Sequence, residues 1–223
     1  MILGVGIVAQ TAPPGPYLVK DINVGADESH PEYLTDVNGT PFGQAHDMLF
    51  FRADDGVYGW ELWMTDGTEA GTVLVKDINP RSGFSYLYGL INVDGTLFFS
   101  ADDGVHGVEL WASDGTEAGT MLVKDISPGS ADSFPGHLTD VNGTLFFWAN
   151  DGVHGRELYK SDGTEAGTVL VKDIKPGSVD SYLSELTNVN GTLFFVAGDD
   201  IYHSGELWKS DGTQAGTVLV KYI

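Results

Sequence analysis

The chain has 223 residues, 42% of them hydrophobic and 11% aromatic, with 30 glycines and no cysteine, enough apolar material for one all-β domain. Its 32 Asp and Glu against 11 Lys and Arg leave a net charge of -21, which repels a phosphate backbone and excludes nucleic acid as a partner. The lack of cysteine excludes a disulfide framework, a thiol nucleophile and a thiolate zinc site, and no apolar run approaches the roughly 18 residues of a transmembrane helix.

At the N-terminus Ile2 to Ala9 form a short apolar run, followed by a Pro-rich stretch to Pro16. This is the pattern of the end of a secretory signal peptide with Ala9 at the cleavage point, although no Lys or Arg precedes it. The expectation is a secreted or cell-surface protein with a lead-in over 1–15 and a single repeat domain over 16–223.

Self-similarity organises the rest. Leu-Val-Lys-Asp-Ile begins at Leu18, Leu74, Leu122 and Leu170, with Leu-Val-Lys-Tyr-Ile at Leu219, and Glu-Leu-Trp or Glu-Leu-Tyr begins at Glu61, Glu109, Glu157 and Glu206. The repeats run over about 18–73, 74–121, 122–169 and 170–218, with a final strand at 219–223. The first carries an insert at Pro41 to Met48.

Each unit reads as four strands, A to D. In the third, strand A is Leu138 to Val141 and strand B is Thr144 to Ala149. Asn142-Gly143 makes the two-residue hairpin turn that recurs at Asn38-Gly39, Asp94-Gly95 and Asn190-Gly191. Glu-Leu-Trp/Tyr is strand C and Leu-Val-Lys-Asp-Ile strand D. Leu97-Phe98-Phe99 is apolar at consecutive positions, so both faces of strand B are expected to be buried. Blades stacked face to face around an axis produce that condition. The fold class is therefore all-β, a β-propeller built from four four-stranded antiparallel blades of about 48 residues. A β-solenoid is the competing architecture.

There are five D strands but only four A, B and C strands. The expectation is a monomeric, closed four-bladed ring in which Leu219 to Ile223 completes the fourth blade and the N-terminal strand lies on an outer edge or is disordered. A homodimer closing an eight-bladed ring is the alternative.

The segment Glu109-Leu110-Trp111-Ala112-Ser113-Asp114-Gly115-Thr116 resembles the signature of the bacterial ELWxxDGT repeat proteins. The resemblance spans all four units, about 18 to 223, with departures at Tyr159 and Tyr222. It implies a secreted or surface propeller-like repeat protein and brings no reaction or ligand with it.

A residue repeated in every blade points to architecture, because a catalytic site needs unlike groups. Trp63, Trp111, Tyr159 and Trp208 are expected between blades. Glu61, Glu109, Glu157 and Glu206 are expected to pair with Lys76, Lys124, Lys172 and Lys221 across neighbouring strands. Asp66, Asp114, Asp162 and Asp211 should order the C–D turns. The B–C loops carry the candidate ligand-binding residues, Asp55 and Tyr58, Asp103 and His106, Asp151 and His154, and Tyr202 and His203, with solvated turns as the competing reading. On strand A, Asp36, Asn92, Asp140 and Asn188 could place a calcium or sodium ion in the central channel. Capping of the following turn is the stronger reading for these short side chains. Trp60, Arg52, Arg81, Trp148, Arg156 and the His46-Asp47 pair break the repeat symmetry. No motif of a hydrolase, metalloprotease or phosphate-binding loop occurs.

The leading expectation is a non-enzymatic scaffold that needs no cofactor and binds a protein, another macromolecule or a glycan through the face carrying the D–A and B–C loops. A glycoside or polysaccharide hydrolase and a calcium-dependent structural or adhesive protein are the alternatives.

Overall fold

The computed structural model describes residues 16–25, 27–37, 48–80, 84–198 and 205–221. Among them are sixteen strands in four antiparallel sheets, each a meander of consecutive strands. Blade 1 is β1 (Glu32–Val37), β2 (Met48–Asp54), β3 (Trp60–Thr65) and β4 (Val73–Lys76). Blade 2 is β5 (Tyr88–Val93), β6 (Thr96–Asp102), β7 (Val108–Ser113) and β8 (Met121–Lys124). Blade 3 is β9 (Gly136–Val141), β10 (Thr144–Asn150), β11 (Arg156–Ser161) and β12 (Val169–Lys172). Blade 4 is β13 (Ser184–Val189), β14 (Thr192–Ala197), β15 (Glu206–Ser210) and β16 (Val218–Lys221). Strand A begins two residues before the expected Leu138, at Gly136.

The A–B hairpins turn where Asn and Asp tolerate positive φ beside glycine. Asp94 and Gly95 have φ 48° and 85°, Asn142 and Gly143 have 53° and 80°, and Asn190 and Gly191 have 51° and 83°. The turn at Asn38-Gly39 and the insert, apart from Met48, lie outside the described residues.

Burial of both faces of strand B follows from stacking. Val37, Phe50 and Leu62 of blade 1 pack against Leu97, Phe99 and Trp111 of blade 2 in one core cluster. Phe98 and Leu110 meet Phe147 and Tyr159 at the next joint, and Phe146 and Leu158 meet Phe195 and Trp208 at the last. The large aromatic of strand C therefore lies between blades at Trp111, Tyr159 and Trp208, whereas Trp63, expected there too, packs with Phe51 and Ala53 of its own blade under Ile22 of the N-terminal segment, because no described blade stacks on that face.

Among the described residues the repeated Glu and Lys do not pair with each other. Glu61 Oε2 instead accepts the Ile78 backbone N–H at 2.9 Å, Glu109 Oε2 that of Ile126 at 2.9 Å, and Glu157 Oε2 that of Ile174 at 2.8 Å. Each carboxyl thus fastens the start of the connection leaving its own blade. The lysines reach the following blade: Lys76, Lys124 and Lys172 donate Nζ–H to the carbonyls of Thr120, Thr168 and Thr217, each at 2.8 Å. Burial outcompetes the expected ion pair, because these Glu are shielded from water and a lysine stem is long enough to cross the joint and keep its head partly solvated.

The C–D turn is a side-chain-capped device. Asp114 Oδ1 accepts Thr116 N at 2.9 Å and Thr116 Oγ1 at 2.7 Å, and Thr116 Oγ1 accepts Gly119 N at 2.9 Å. Thr120 Oγ1 donates back to Thr116 O at 2.7 Å. The same set recurs around Asp162 and Asp211.

Closure is where the fold departs from expectation. β1 packs on β5, β5 on β9 and β9 on β13, but β13 and β1 share no packing of that extent among the described residues. Among the described residues the four blades thus form an open arc and not the closed ring read from the sequence. β16 completes blade 4, as expected, up to Lys221. The N-terminal segment lies on the outer face of blade 1, where Ile22 packs against the cluster of Phe51, Ala53 and Trp63.

Candidate functional site

In an up-and-down meander the D–A and B–C connections share one face of the arc. Each D–A connection is pinned by a serine. Ser85 Oγ donates to Trp60 O on the blade just left, at 2.6 Å, while Ser85 O accepts Asp102 N on the blade being entered, at 2.7 Å. Ser133 and Ser181 make the equivalent bridges, from Val108 O to Asn150 N and from Arg156 O to Gly198 N. Ser29 O accepts Asp54 N at 3.0 Å in the same way.

The residue after each serine carries a ring: His30, Tyr86, Phe134 and Tyr182. Their φ angles are 42°, 48°, 47° and 54°, in the left-handed region that bulky residues rarely occupy and that glycine enters freely. The rings are exposed, Tyr86 by 62% and Tyr182 by 60%, so burial offsets little of that cost. Large rings are thus held in a disfavoured backbone and turned to solvent on one face of the array.

Between blades 3 and 4 the rings surround a pocket of ≈ 200 Å³ lined by His137, Trp148, Arg156, Asp180, Tyr182 and Leu183. The Arg156 guanidinium lies 4.6 Å from the Trp148 ring centroid and 6.0 Å from that of Phe134. The His137 and Trp148 rings are 6.3 Å apart. Glycine is required at 136, since a Cβ there would run into the Trp148 indole.

Blade 1 carries a matching arrangement. Arg52 lies 4.5 Å from the Trp60 ring centroid and 5.0 Å from that of Tyr33, and His30 stacks on Trp60 at 5.9 Å. Arg52 donates Nη1–H to Leu87 O at 3.0 Å and pairs with Glu32. Counted from each Glu-Leu-Trp/Tyr, Arg52 is equivalent to Trp148 and Trp60 to Arg156. The Arg–Trp pair is thus kept in blades 1 and 3 with its two positions exchanged, and is absent from blades 2 and 4. Two of the three arginines of a strongly acidic chain stand here. Tyr88, beside Ser100 and Arg156, has its phenol pushed up to about 12 by burial.

The B–C loop residues singled out from the sequence are largely occupied within their own turns. Asp55 Oδ1 accepts Val57 N and Tyr58 N at 2.9 and 2.8 Å, leaving the Tyr58 ring exposed. Asp103 Oδ1 accepts Val105 N and His106 N, and its Oδ2 meets His106 Nδ1 at 2.8 Å. Asp151 repeats this with Val153 and His154, and also accepts the Tyr159 hydroxyl at 2.9 Å. The bond to Asp103 raises the His106 pKa, and that to Asp151 raises the His154 pKa. Burial works against Asp151, yet the His154 backbone and ring bonds hold it down to about 2. Tyr202 and His203 lie outside the described residues.

Three of the four strand A residues cap turns, and the turn after the fourth, Asp36, lies outside the described residues. Asn92, Asp140 and Asn188 accept the backbone N–H of Gly95, Gly143 and Gly191 at 2.9, 2.8 and 2.9 Å. Asn92 also donates to Asp36 O, and Asn188 to Asp140 O, tying each inner strand to the one before. Among the described residues no group of three or more His, Asp or Glu is arranged to hold a metal ion, and no helix is long and apolar enough to cross a membrane.

The repeated glutamates are buried on the same side of the blades. Burial pushes Glu61 up to about 8 and Glu109 and Glu157 to about 7, against the pull of their backbone donors. They serve the connections and are closed to a substrate.

Fold and site together define a propeller-like blade array with one aromatic and arginine-bearing face. No protein-family model matches the chain, and no curated protein matches it. Among solved structures it is similar to a crystal structure of a puromycin hydrolase mutant complexed with PGG, with 15% identity and a TM-score of 0.49. The match covers 81% of this chain and 30% of that one.

Proposed function

We propose that this chain is a non-enzymatic recognition scaffold that binds a glycan, free or carried on another macromolecule, through its D–A/B–C face. The observation that carries the reading is the set of solvent-facing rings His30, Tyr86, Phe134 and Tyr182 in left-handed backbone, joined by the two Arg–Trp platforms. Flat rings stack on the C–H faces of sugars, while Arg156, Asp180 and His137 supply donors and acceptors for hydroxyls around an apolar floor. The repeated glutamates are buried and the B–C aspartates Asp55, Asp103 and Asp151 are engaged in their own turns, so neither described set supplies the two carboxylates flanking a bound substrate that hydrolysis requires. Export to the surface or medium, and kinship with the ELWxxDGT repeat proteins, belong to the same proposal, and fractionation of producing cells tests the location.

A glycan array followed by calorimetry on the best binder tests the function. Arg156→Ala should weaken binding at least tenfold while leaving the thermal midpoint within a few degrees, and Trp148→Ala, whose indole also packs on the joint between blades 3 and 4, should weaken it as much at temperatures where circular dichroism shows it folded. Absence of binding across the array by well-folded protein, or binding indifferent to both substitutions, would overturn the reading.

A further inference from the structure

The two ends of the arc are unlike and complementary. In blades 1 to 3 one face of the sheet presents Val37, Val93 and Val141 from strand A and Val75, Val123 and Val171 from strand D, and the next blade buries all six. Blade 4 presents the same residue types at the same places, but among the described residues no blade covers them: Val189 is 46% exposed and Val220 44%. Phe194 and Leu207, whose counterparts are buried in the other blades, are only partly buried here. Lys221, the counterpart of the lysines that cross each joint, makes no such bond among the described residues.

At the other end, blade 1 offers the receiving face of a joint. It has Phe51, Ala53 and Trp63 where blade 2 has Phe99, Ala101 and Trp111, already buried in the single chain with Ile22 of the N-terminal segment packed on them. Leu34, whose counterparts Leu90, Leu138 and Leu186 pack into the three joints, is 61% exposed. Beside it runs a groove of ≈ 380 Å³ lined by Leu34, Leu49, Phe51 and the N-terminal segment.

That segment imitates the strand D of a preceding blade. Lys20 donates Nζ–H to Thr72 O at 2.8 Å, the bond each lysine makes across the three built joints. Leu18 to Ile22 nevertheless pairs with no strand among the described residues, and Leu18 is exposed. Only the strand D part of the missing neighbour is imitated. Among the described residues no strand stands in the places of strands A, B and C.

We infer that a second copy of this chain docks head to tail, the bare face of blade 4 of one copy seating on the receiving face of blade 1 of the other. Lys221 of one copy then takes Thr72 O of the other from Lys20, and Leu18 to Ile22 is displaced by a β16 of nearly the same sequence, Leu-Val-Lys at 219–221 against Leu-Val-Lys at 18–20. The occupant is set by continuity: the joint repeats the three within each arc, residue type by residue type. Two arcs of four joined at both ends make a ring of eight blades, within the size range of known propellers, and a heterologous contact that closes gives a finite assembly. Both arcs then present their ring-bearing faces on one side.

Sedimentation over roughly 1 to 300 μM tests the inference by complementation. The wild-type chain should pass from 23.9 kDa to twice that mass. Val189→Asp, altered only on the blade 4 face, and Leu34→Asp, altered only on the blade 1 face, should each stay at the single-chain mass, while their equimolar mixture should reform pairs through the one intact joint. Val57→Asp, in an exposed B–C loop, should pair like wild type. A wild-type chain that stays single throughout, growth beyond pairs, pairing by either altered chain alone, or a mixture that stays single would each overturn the head-to-tail ring. Circular dichroism on every variant separates failed docking from failed folding.

Discussion

The C–D turn allows a sharp test of why its residues occur together. Gly119 has no positive φ, so its backbone conformation is open to alanine. What forbids a side chain is Asp114, whose carboxylate occupies the space an added Cβ would take. Gly119→Ala must therefore swing that carboxylate away, breaking its bonds to Thr116 N and Thr116 Oγ1 at 2.9 and 2.7 Å. Hydrogen bonds to a charged group contribute about 1.5–3 kcal/mol each. Because this carboxylate is partly solvated and regains water on leaving, the loss expected for Gly119→Ala is about 1–3 kcal/mol. Asp114→Ala should cost a similar amount. In the Asp114→Ala background the obstacle is gone, and Gly119→Ala should be neutral or stabilise by about 0.4–1 kcal/mol through the unfolded chain. Urea denaturation of the four proteins gives the coupling energy, expected at 1 kcal/mol or more. Additive costs would refute the idea that the aspartate and the glycine are one device.

Two further outcomes follow from the core. The Glu109 carboxyl is raised from 4.5 to about 7 by burial in the folded state, so folding stability is complete below about pH 4.5 and declines as pH climbs through 7, by roughly 2–3 kcal/mol for this group. His106 and His154, raised by their aspartates, act in the same direction over that window, so the readout is a difference. Thermal midpoints between pH 5 and 8 should fall less steeply for Glu109→Gln than for wild type, and equal slopes would contradict the assignment. Trp111→Ala, which empties the joint between blades 1 and 2, should cost about 3–5 kcal/mol in denaturant titrations, and an unchanged midpoint would show that the indole is not part of that core.

Period, strand order and hairpin turns were legible because each rests on local chemistry: Asn142-Gly143 can only be a tight turn, and Leu-Phe-Phe only a strand buried on both faces. The fate of Glu109 and Lys124 was not, because it depends on the adjacent blade. The lysine finds Thr168 O 44 positions away, and the glutamate reaches back into the connection that leaves its own sheet. Openness of the arc was equally hidden. Val141 and Val189 are the same residue at the same place in the repeat, and only the presence of a following blade makes one buried and the other exposed. The rings of the D–A connections did leave a trace, since every serine at 29, 85, 133 and 181 is followed by His, Tyr, Phe or Tyr. Their left-handed backbone did not, as propensity argues against it for such residues.

Exchange of the Arg–Trp pair bears on what the repeat preserves. A contact needed to hold a blade together would recur in all four, as the strand C aromatic and the C–D turn do. Arg52 with Trp60 and Trp148 with Arg156 occur in alternate blades, and the residue types trade strands while the guanidinium stays 4.5 to 4.6 Å from the indole centroid. At the same places blade 2 has Ser100 and Val108 and blade 4 has Val196 and Gly205, and those blades fold equally well. The stacked pair is thus dispensable to the blade and indifferent to which strand carries which partner. What survives the exchange is a flat, cationic, partly solvated platform at one level of the D–A/B–C face, even though in blade 3 its indole also packs on the joint to blade 4. In a paired ring such platforms would stand on alternate blades around the whole circumference, so a ligand with repeating units could engage several at once. Linked contacts of that kind raise avidity by orders of magnitude when their spacing is matched, which makes the affinity of long oligosaccharides, relative to short ones, the quantity most sensitive to whether the arc is single or paired.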